Sequence, residues 1–172
     1  MKIHLLRGIN VGGHKKIPMV QLRECYERLG LKNVKTYIQS GNVVFDGDVT
    51  NEALEKSITE VTGFEVPGML FEADEWLELV EKAPSIYEEA GTEIKKYITL
   101  TQHQPTDAQV KVVTEKLTEE ETLTHHGRAL YLHYPSELKK PFFTNTAVEK
   151  ALGQRCTTRN WNTLVALKKM VS

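Results

Sequence analysis

Two glycine-bearing stretches hold the residues best suited to chemistry. The first, LLRGINVGGHKK (residues 5–16), gathers Arg7, Asn10, Gly12, Gly13 and Lys16 into one loop. Gly8 and Gly13 have the spacing of a phosphate loop, in which backbone amides wrap the phosphate, a lysine binds it and a hydroxyl holds magnesium. Here His14 stands at the lysine position and Lys15 at the hydroxyl position. Magnesium-dependent triphosphate chemistry of that kind is therefore excluded, and the dinucleotide pattern G-x-G-x-x-G is missing too. A looser function survives. Amides of Gly12 and Gly13, with positive charge from Arg7, Lys15 and Lys16, would hold an anion. The competing reading is conformational: the glycines supply positive φ and turn the chain toward Pro18.

The second stretch, QSGNVVF (39–45), adds Gln39, Ser40 and Asn42. Ser and Asn are ordinary turn residues, because their side chains satisfy turn backbone groups; Gln39 is less required there. A third stretch, TTRNWN (157–162), carries Arg159, Asn160 and Asn162. Asn160 or Thr158 would cap the helix that follows, and Trp161 is expected to pack as Trp76 does in the first half. A helix N-terminus preceded by arginine is also an anion site. Together these residues suit recognition of a polar, anionic ligand; no nearby carboxylate is available as a base.

Other chemistries fall away. His125 and His126 are adjacent, so in a strand they point to opposite faces and cannot chelate one metal. His103 and His133 lack partners at ligand spacing, and no G-x-S-x-G elbow exists. No metal and no cofactor is expected, and His14 is the only titratable candidate in the first loop. RNA recognition on a sheet face would need stacked aromatics on the third strand of each half. That strand offers Phe45 in the first half, while Tyr131 and Tyr134 fall on opposite faces in the second.

The elements that must position these residues read as follows. A strand covers about 2–7, a helix Pro18–Leu29 with Gly30 as its cap, and strands about 34–39 and 42–46 meet at Ser40-Gly41. A helix at 51–62, a strand at 66–71 and a helix at 75–83 complete the first half. The second half repeats the order: strand 94–101, helix 106–117, a hairpin over 121–134 turning near Gly127, helix 144–152, strand 154–158 and helix 161–170. NEALEK at 51 corresponds to NTAVEK at 145, and WLELV at 76 to WNTLV at 161. Such matches in one order point to duplication. The expected fold is therefore α+β, two ferredoxin-like β-α-β-β-α-β halves, each followed by an extra helix. They span 1–84 and 92–172, with 85–91 connecting them.

Right-handed crossovers then give strand order 4-1-3-2, both helices on one face. In that order the loop after the first strand and the turn between the second and third strands leave the sheet at the same edge. GINVGG is thereby expected beside QSGN.

The blocks LLRGINVGGHKKIPM, YIQSGNVVF and TTRNWNTL together resemble a widespread bacterial family catalogued as domain of unknown function 1697. The resemblance runs from the N-terminal to the C-terminal block. It implies two α+β halves and no particular activity.

The formal net charge of −1 hides an asymmetry. Residues 1–35 hold eight Lys/Arg against two acids, and 139–172 seven against one, while the middle is strongly acidic. Two basic ends favour an anionic partner if they meet. No run of about 18 apolar residues exists, so no membrane span is expected, nor is a secretory signal, given the short apolar run before Arg7. The two cysteines share no ligand spacing and read as buried thiols in a reducing cytoplasm. The leading functional expectation is a cytosolic protein binding a phosphate-bearing small molecule, nucleotide or nucleic acid. A metal-independent enzyme on a small phosphorylated or polar substrate, and a protein-interaction module, stay open beside it.

Overall fold

The computed structural model describes residues 1–172. In chain order the elements are β1 (Lys2–Leu6), α1 (Met19–Glu27), β2 (Lys32–Tyr37), β3 (Asn42–Asp46), α2 (Asn51–Thr62), β4 (Gly68–Glu72) and α3 (Ala73–Glu81). A 3₁₀ turn at Ser85–Glu88 follows, then β5 (Ile94–Thr101), α4 (Asp107–Lys116), β6 (Thr122–His126), β7 (Ala129–Pro135), α5 (Asn145–Leu152), β8 (Cys156–Asn160) and α6 (Trp161–Val171). The protein is mixed α+β, with two four-stranded antiparallel sheets and six α-helices.

The chain forms two compact units, Met1–Leu77 with Val165–Ser172, and Glu78–Leu164. The expected connector at 85–91 thus lies inside the second unit. Its reason is Tyr87, buried in edge-to-face contact with Tyr131 and Trp161, 6.0 and 5.6 Å between ring centres.

In the first unit the sheet order is β2-β3-β1-β4. Leu6, Val43 and Phe45 on one face pack with Leu22, Cys25 and Tyr26 of α1 and with Leu54 and Ile58 of α2. β3 is buried on both faces from Asn42 to Phe45, as its unbroken apolar run suggests. α2 is bounded by sequence chemistry: the Thr50 hydroxyl accepts from the Ala53 amide at 3.1 Å, and Gly63 closes it in the left-handed conformation. α1 begins after Pro18, and its last turn runs on through Arg28 to Gly30.

The second unit has the corresponding order β6-β7-β5-β8. Leu130, Leu132 and Tyr134 of β7 pack with Val110 and Val113 of α4 and with Val148 and Leu152 of α5. Thr106 and Gln109 form a capping box at α4, and Thr144 caps α5. Strand β8 lies two residues later than expected because it runs directly into α6. Asn160 is both its last residue and the helix cap, its Oδ1 accepting the Thr163 amide at 2.9 Å. Thr158 does not cap; its hydroxyl meets Thr99 Oγ1 and Asn145 Oδ1 at 3.0 and 2.9 Å. Trp161 also departs from expectation: it is half-buried against Tyr87, whereas Trp76 is fully buried against Phe71. Both cysteines are free and buried.

Candidate functional site

The β1–α1 loop and the β2–β3 turn meet at one edge of the first sheet. The amide of Leu6, at the end of β1, donates to the Gly41 carbonyl at 2.7 Å. This approach requires glycine at 41. Its φ is +90°, and a Cβ there would lie 2.7 Å from Leu6 Cβ and 3.1 Å from Leu6 O.

Beyond β1 the chain makes a small hairpin. Val11 and His14 form an isolated antiparallel bridge, the His14 amide donating to Val11 O at 3.0 Å. Gly12 and Gly13 between them have φ of +58° and +78°, the double positive φ of a two-residue hairpin turn. Asn10 staples its base. Oδ1 accepts the Ile17 amide at 2.8 Å, and Nδ2 donates to Ile17 O at 3.2 Å and to Gln39 O at 2.9 Å. The Lys15 ammonium donates to the Glu65 carbonyl at 2.6 Å, so its charge is held by β4's approach rather than by the loop tip.

Ile17 is buried, and with Asn10, Gly13, Lys16, Pro18 and Gln39 it lines a cleft of about 300 Å³. Lys16 is the only charged side chain in that wall, and it is exposed. No carboxylate and no histidine lines it; His14 is exposed and lies outside. The arrangement offers one ammonium group and backbone amides, a set suited to holding an anion.

The expected residues separate by task. Lys16, Gln39 and Gly13 face the cleft. Gly12 makes the turn behind it. Asn10 shares the wall, but its amide is committed to the staple. Asn42 cannot touch a ligand, because it is fully buried, with Nδ2 donating to Tyr37 O and Ser40 Oγ, both at 3.0 Å. Ser40 serves the same turn as acceptor. Arg7 is half-buried, does not line the cleft, and has its amide on Pro67 O at 3.0 Å.

Arg159, Asn160 and Asn162 belong to the second unit. Asn160, Trp161 and Asn162 line a cleft of about 330 Å³ there, with Tyr87 and Lys96. Arg159 is outside that wall. Its Nη1 donates to Thr157 Oγ1 at 2.7 Å and to Thr158 O at 3.1 Å, and burial lowers its pKa to about 10. No group of three or more His, Cys, Asp or Glu is placed to hold a metal ion.

Sequence reasoning missed Ile17 and Pro18 as cleft walls, since both read as parts of a helix entry. It also missed a buried polar chain in the first unit. His4 Nδ1 lies 2.6 Å from Tyr26 OH and Nε2 lies 2.7 Å from Asn51 Oδ1, while Asn51 Nδ2 donates to Glu55 Oε2 at 2.5 Å. Because Asn51 Oδ1 can only accept, His4 Nε2 carries the proton and Nδ1 accepts from Tyr26. The one available signal was a histidine amid the apolar run KIHLL.

A model of the family described as "Protein of unknown function (DUF1697)" matches residues 1–131. The match takes in the two N-terminal blocks that form the cleft and ends before TTRNWN. Among solved structures, the conserved bacterial protein SP0830 from Streptococcus pneumoniae is similar, with a TM-score of 0.75 and 23% identity over 99% of this chain and 98% of that one. At that identity the likeness is one of fold. No curated protein matches the chain.

Proposed function

The chain belongs to the DUF1697 family of proteins of unknown function, and from that premise, which brings no activity with it, we propose that its first unit binds an anionic ligand. The ligand sits in the cleft between the β1–α1 loop and the β2–β3 turn, and it bears a phosphate, as a small molecule, nucleotide or nucleic-acid segment would. One observation carries this reading: Lys16 is the sole charged group in the wall, so the charge the cleft presents is positive. Lys16 Nζ and the Gln39 amide are the direct contacts, with Gly13 backbone between them. Asn10, Gly12, Ser40, Gly41 and Asn42 build the cleft, and Arg7 contributes long-range positive charge.

We also infer that the two units are copies of one ferredoxin-like β-α-β-β-α-β unit followed by a helix. What supports this is the repeated strand order, and the repeated Thr cap and left-handed Gly around α2 and α5. Free buried thiols in both units suit a reducing cytoplasm.

The test is calorimetric titration of the whole chain with inorganic phosphate, pyrophosphate and mononucleotides. A charge-assisted hydrogen bond contributes about 1.5–3 kcal/mol, so Lys16→Ala should weaken the best binder by about tenfold or more. Lys16 is exposed, so thermal stability should not change. Absence of any anion binding, or affinity indifferent to Lys16, would overturn the proposal.

A further inference from the structure

The same cleft carries features that a bare anion does not require. The three most exposed large apolar side chains of the protein, Val11 at 61%, Val20 at 60% and Ile38 at 54%, belong to residues within two positions of ones that line the cleft. Val11 follows Asn10, Ile38 precedes Gln39, and Val20 stands two residues after Pro18. With Ile17 and Pro18 in the wall itself, exposed aliphatic residues on the segments that build a concave site favour a contact surface there.

Ile38 adds an independent observation. Its φ is +49°, a conformation that a β-branched residue adopts at a cost and that Gly or Asn would adopt readily. More than half of the side chain faces water, so core packing does not offset that cost. Three of the four non-glycine residues with positive φ, Asn10, Lys15 and Ile38, lie on the two segments that build this cleft. The side chains of Asn10 and Lys15 are held by hydrogen bonds; that of Ile38 is an exposed apolar group. Strain kept at an exposed position points to use there.

Resting on the anion-binding reading, we propose that the ligand is amphipathic, a phosphomonoester on an aliphatic body. Lys16 takes the phosphate, Ile17 and Pro18 underlie the first carbons, and Val11, Val20 and Ile38 cover the rest. No aromatic side chain lines the cleft, so a nucleobase would find nothing to stack on. The volume of about 300 Å³ is that of a small-molecule site.

The experiment titrates the whole chain with inorganic phosphate and with methyl, butyl and hexyl phosphate. Full burial of a methylene gives about fourfold in affinity, so a rim covering one side of the chain should give about twofold per methylene. Lys16→Ala should weaken every member. Ile38→Asn, which suits the left-handed turn, should keep the thermal midpoint and the phosphate affinity yet flatten the series by about threefold or more at hexyl phosphate. Val11→Ser provides the same readout should Ile38→Asn fail to fold. A series flat in the wild type, with Lys16-dependent phosphate binding intact, overturns the amphipathic ligand and leaves the anion site standing. Loss of all Lys16-dependent binding removes both. Sedimentation with phosphatidic acid vesicles in the absence of hexyl phosphate binding would overturn the small-molecule assignment in favour of a membrane surface.

Discussion

Asn10 and Gln39, 29 residues apart in sequence, are joined by a single hydrogen bond from Asn10 Nδ2 to the Gln39 carbonyl at 2.9 Å. Through it the loop after β1 and the turn before β3 become the two walls of one cleft. The same amide holds both backbone groups of Ile17. Asn10→Ala removes three hydrogen bonds of about 1 kcal/mol each and puts alanine at φ +54°. A loss of about 2–4 kcal/mol in urea denaturation is expected, with weaker phosphate binding although no ligand contact is deleted. Asn10→Asp keeps the acceptor for the Ile17 amide but turns a carboxylate oxygen toward the Ile17 and Gln39 carbonyls, so it should lose stability as well. Unchanged stability in Asn10→Ala would show that the staple does not hold the walls.

Gly41 tests the same edge from the other side. Its carbonyl takes the Leu6 amide, and an added Cβ would press on Leu6 Cβ and O. Gly41→Ala combines that overlap with strain at φ +90°, for an expected cost of about 2–4 kcal/mol. Amide shifts of the 38–42 turn and the 7–17 loop should move together in NMR spectra. Movement confined to the turn would separate the two walls.

The meeting of these walls was legible in the sequence, because element order and crossover handedness leave one strand order and that order has only one edge for both loops. The division of labour was not. Asn10, Asn42 and Gln39 are the same kind of side chain in sequence. Whether an amide faces a ligand or its own backbone depends on dihedral angles such as φ +54° at Asn10, and on the inward turn of Asn42 at the start of β3. Gln39, the residue least required by turn chemistry, lines the cleft with its side chain in no hydrogen bond to the turn, whereas Asn42 is fully buried. The 85–91 segment has a similar double character. Its Pro, Gly and acidic residues look like a linker, and one buried tyrosine ties it to the second unit.

His4 ties acid stability to the core of the first unit. Burial lowers its pKa to about 4, against 6.5 for an exposed histidine. The unfolded chain therefore takes up a proton between pH 6.5 and 4 that the folded chain refuses. The stabilisation is complete above pH 6.5 and is lost as pH falls toward 4, by about 3 kcal/mol in all. His4→Leu should be less stable at pH 7 by about 2–3 kcal/mol, since it strands Tyr26 OH and Asn51 Oδ1. The gap to wild type should narrow toward pH 4.5. Parallel stability curves would refute the assignment.

Gly68 guards that histidine. It begins β4 opposite Leu6, and a Cβ there would overlap Nε2 and Cε1 of His4 and approach Asn51 Oδ1 to 3.1 Å. Gly68→Ala should break the His4–Asn51 bond and cost about 2–4 kcal/mol. The double variant with His4→Ala makes room for the methyl, so the two losses should fall well short of adding. Simple additivity would mean that Gly68 is needed for some other reason.

In the second unit the buried carboxylate of Glu121 replaces regular structure. Its Oε1 accepts the amides of Thr118 and Phe142 at 3.0 and 2.8 Å, and its Oε2 accepts that of Phe143 at 3.0 Å. These bonds fasten the stretch between β7 and α5 and seat Phe143 in the core, 5.2 Å from Tyr97 between ring centres. Glu121→Gln tests this with little change of shape. Whichever way the new amide lies, its NH2 replaces an oxygen that had been accepting and faces at least one backbone donor. The variant should lose about 1–3 kcal/mol. Amide exchange should rise in residues 137–143 but not in β5 or β7, whose hydrogen bonds are independent of the carboxylate. An increase spread evenly over the unit would instead assign Glu121 to global stability, and no increase at 142 and 143 would show that the carboxylate does not anchor the segment.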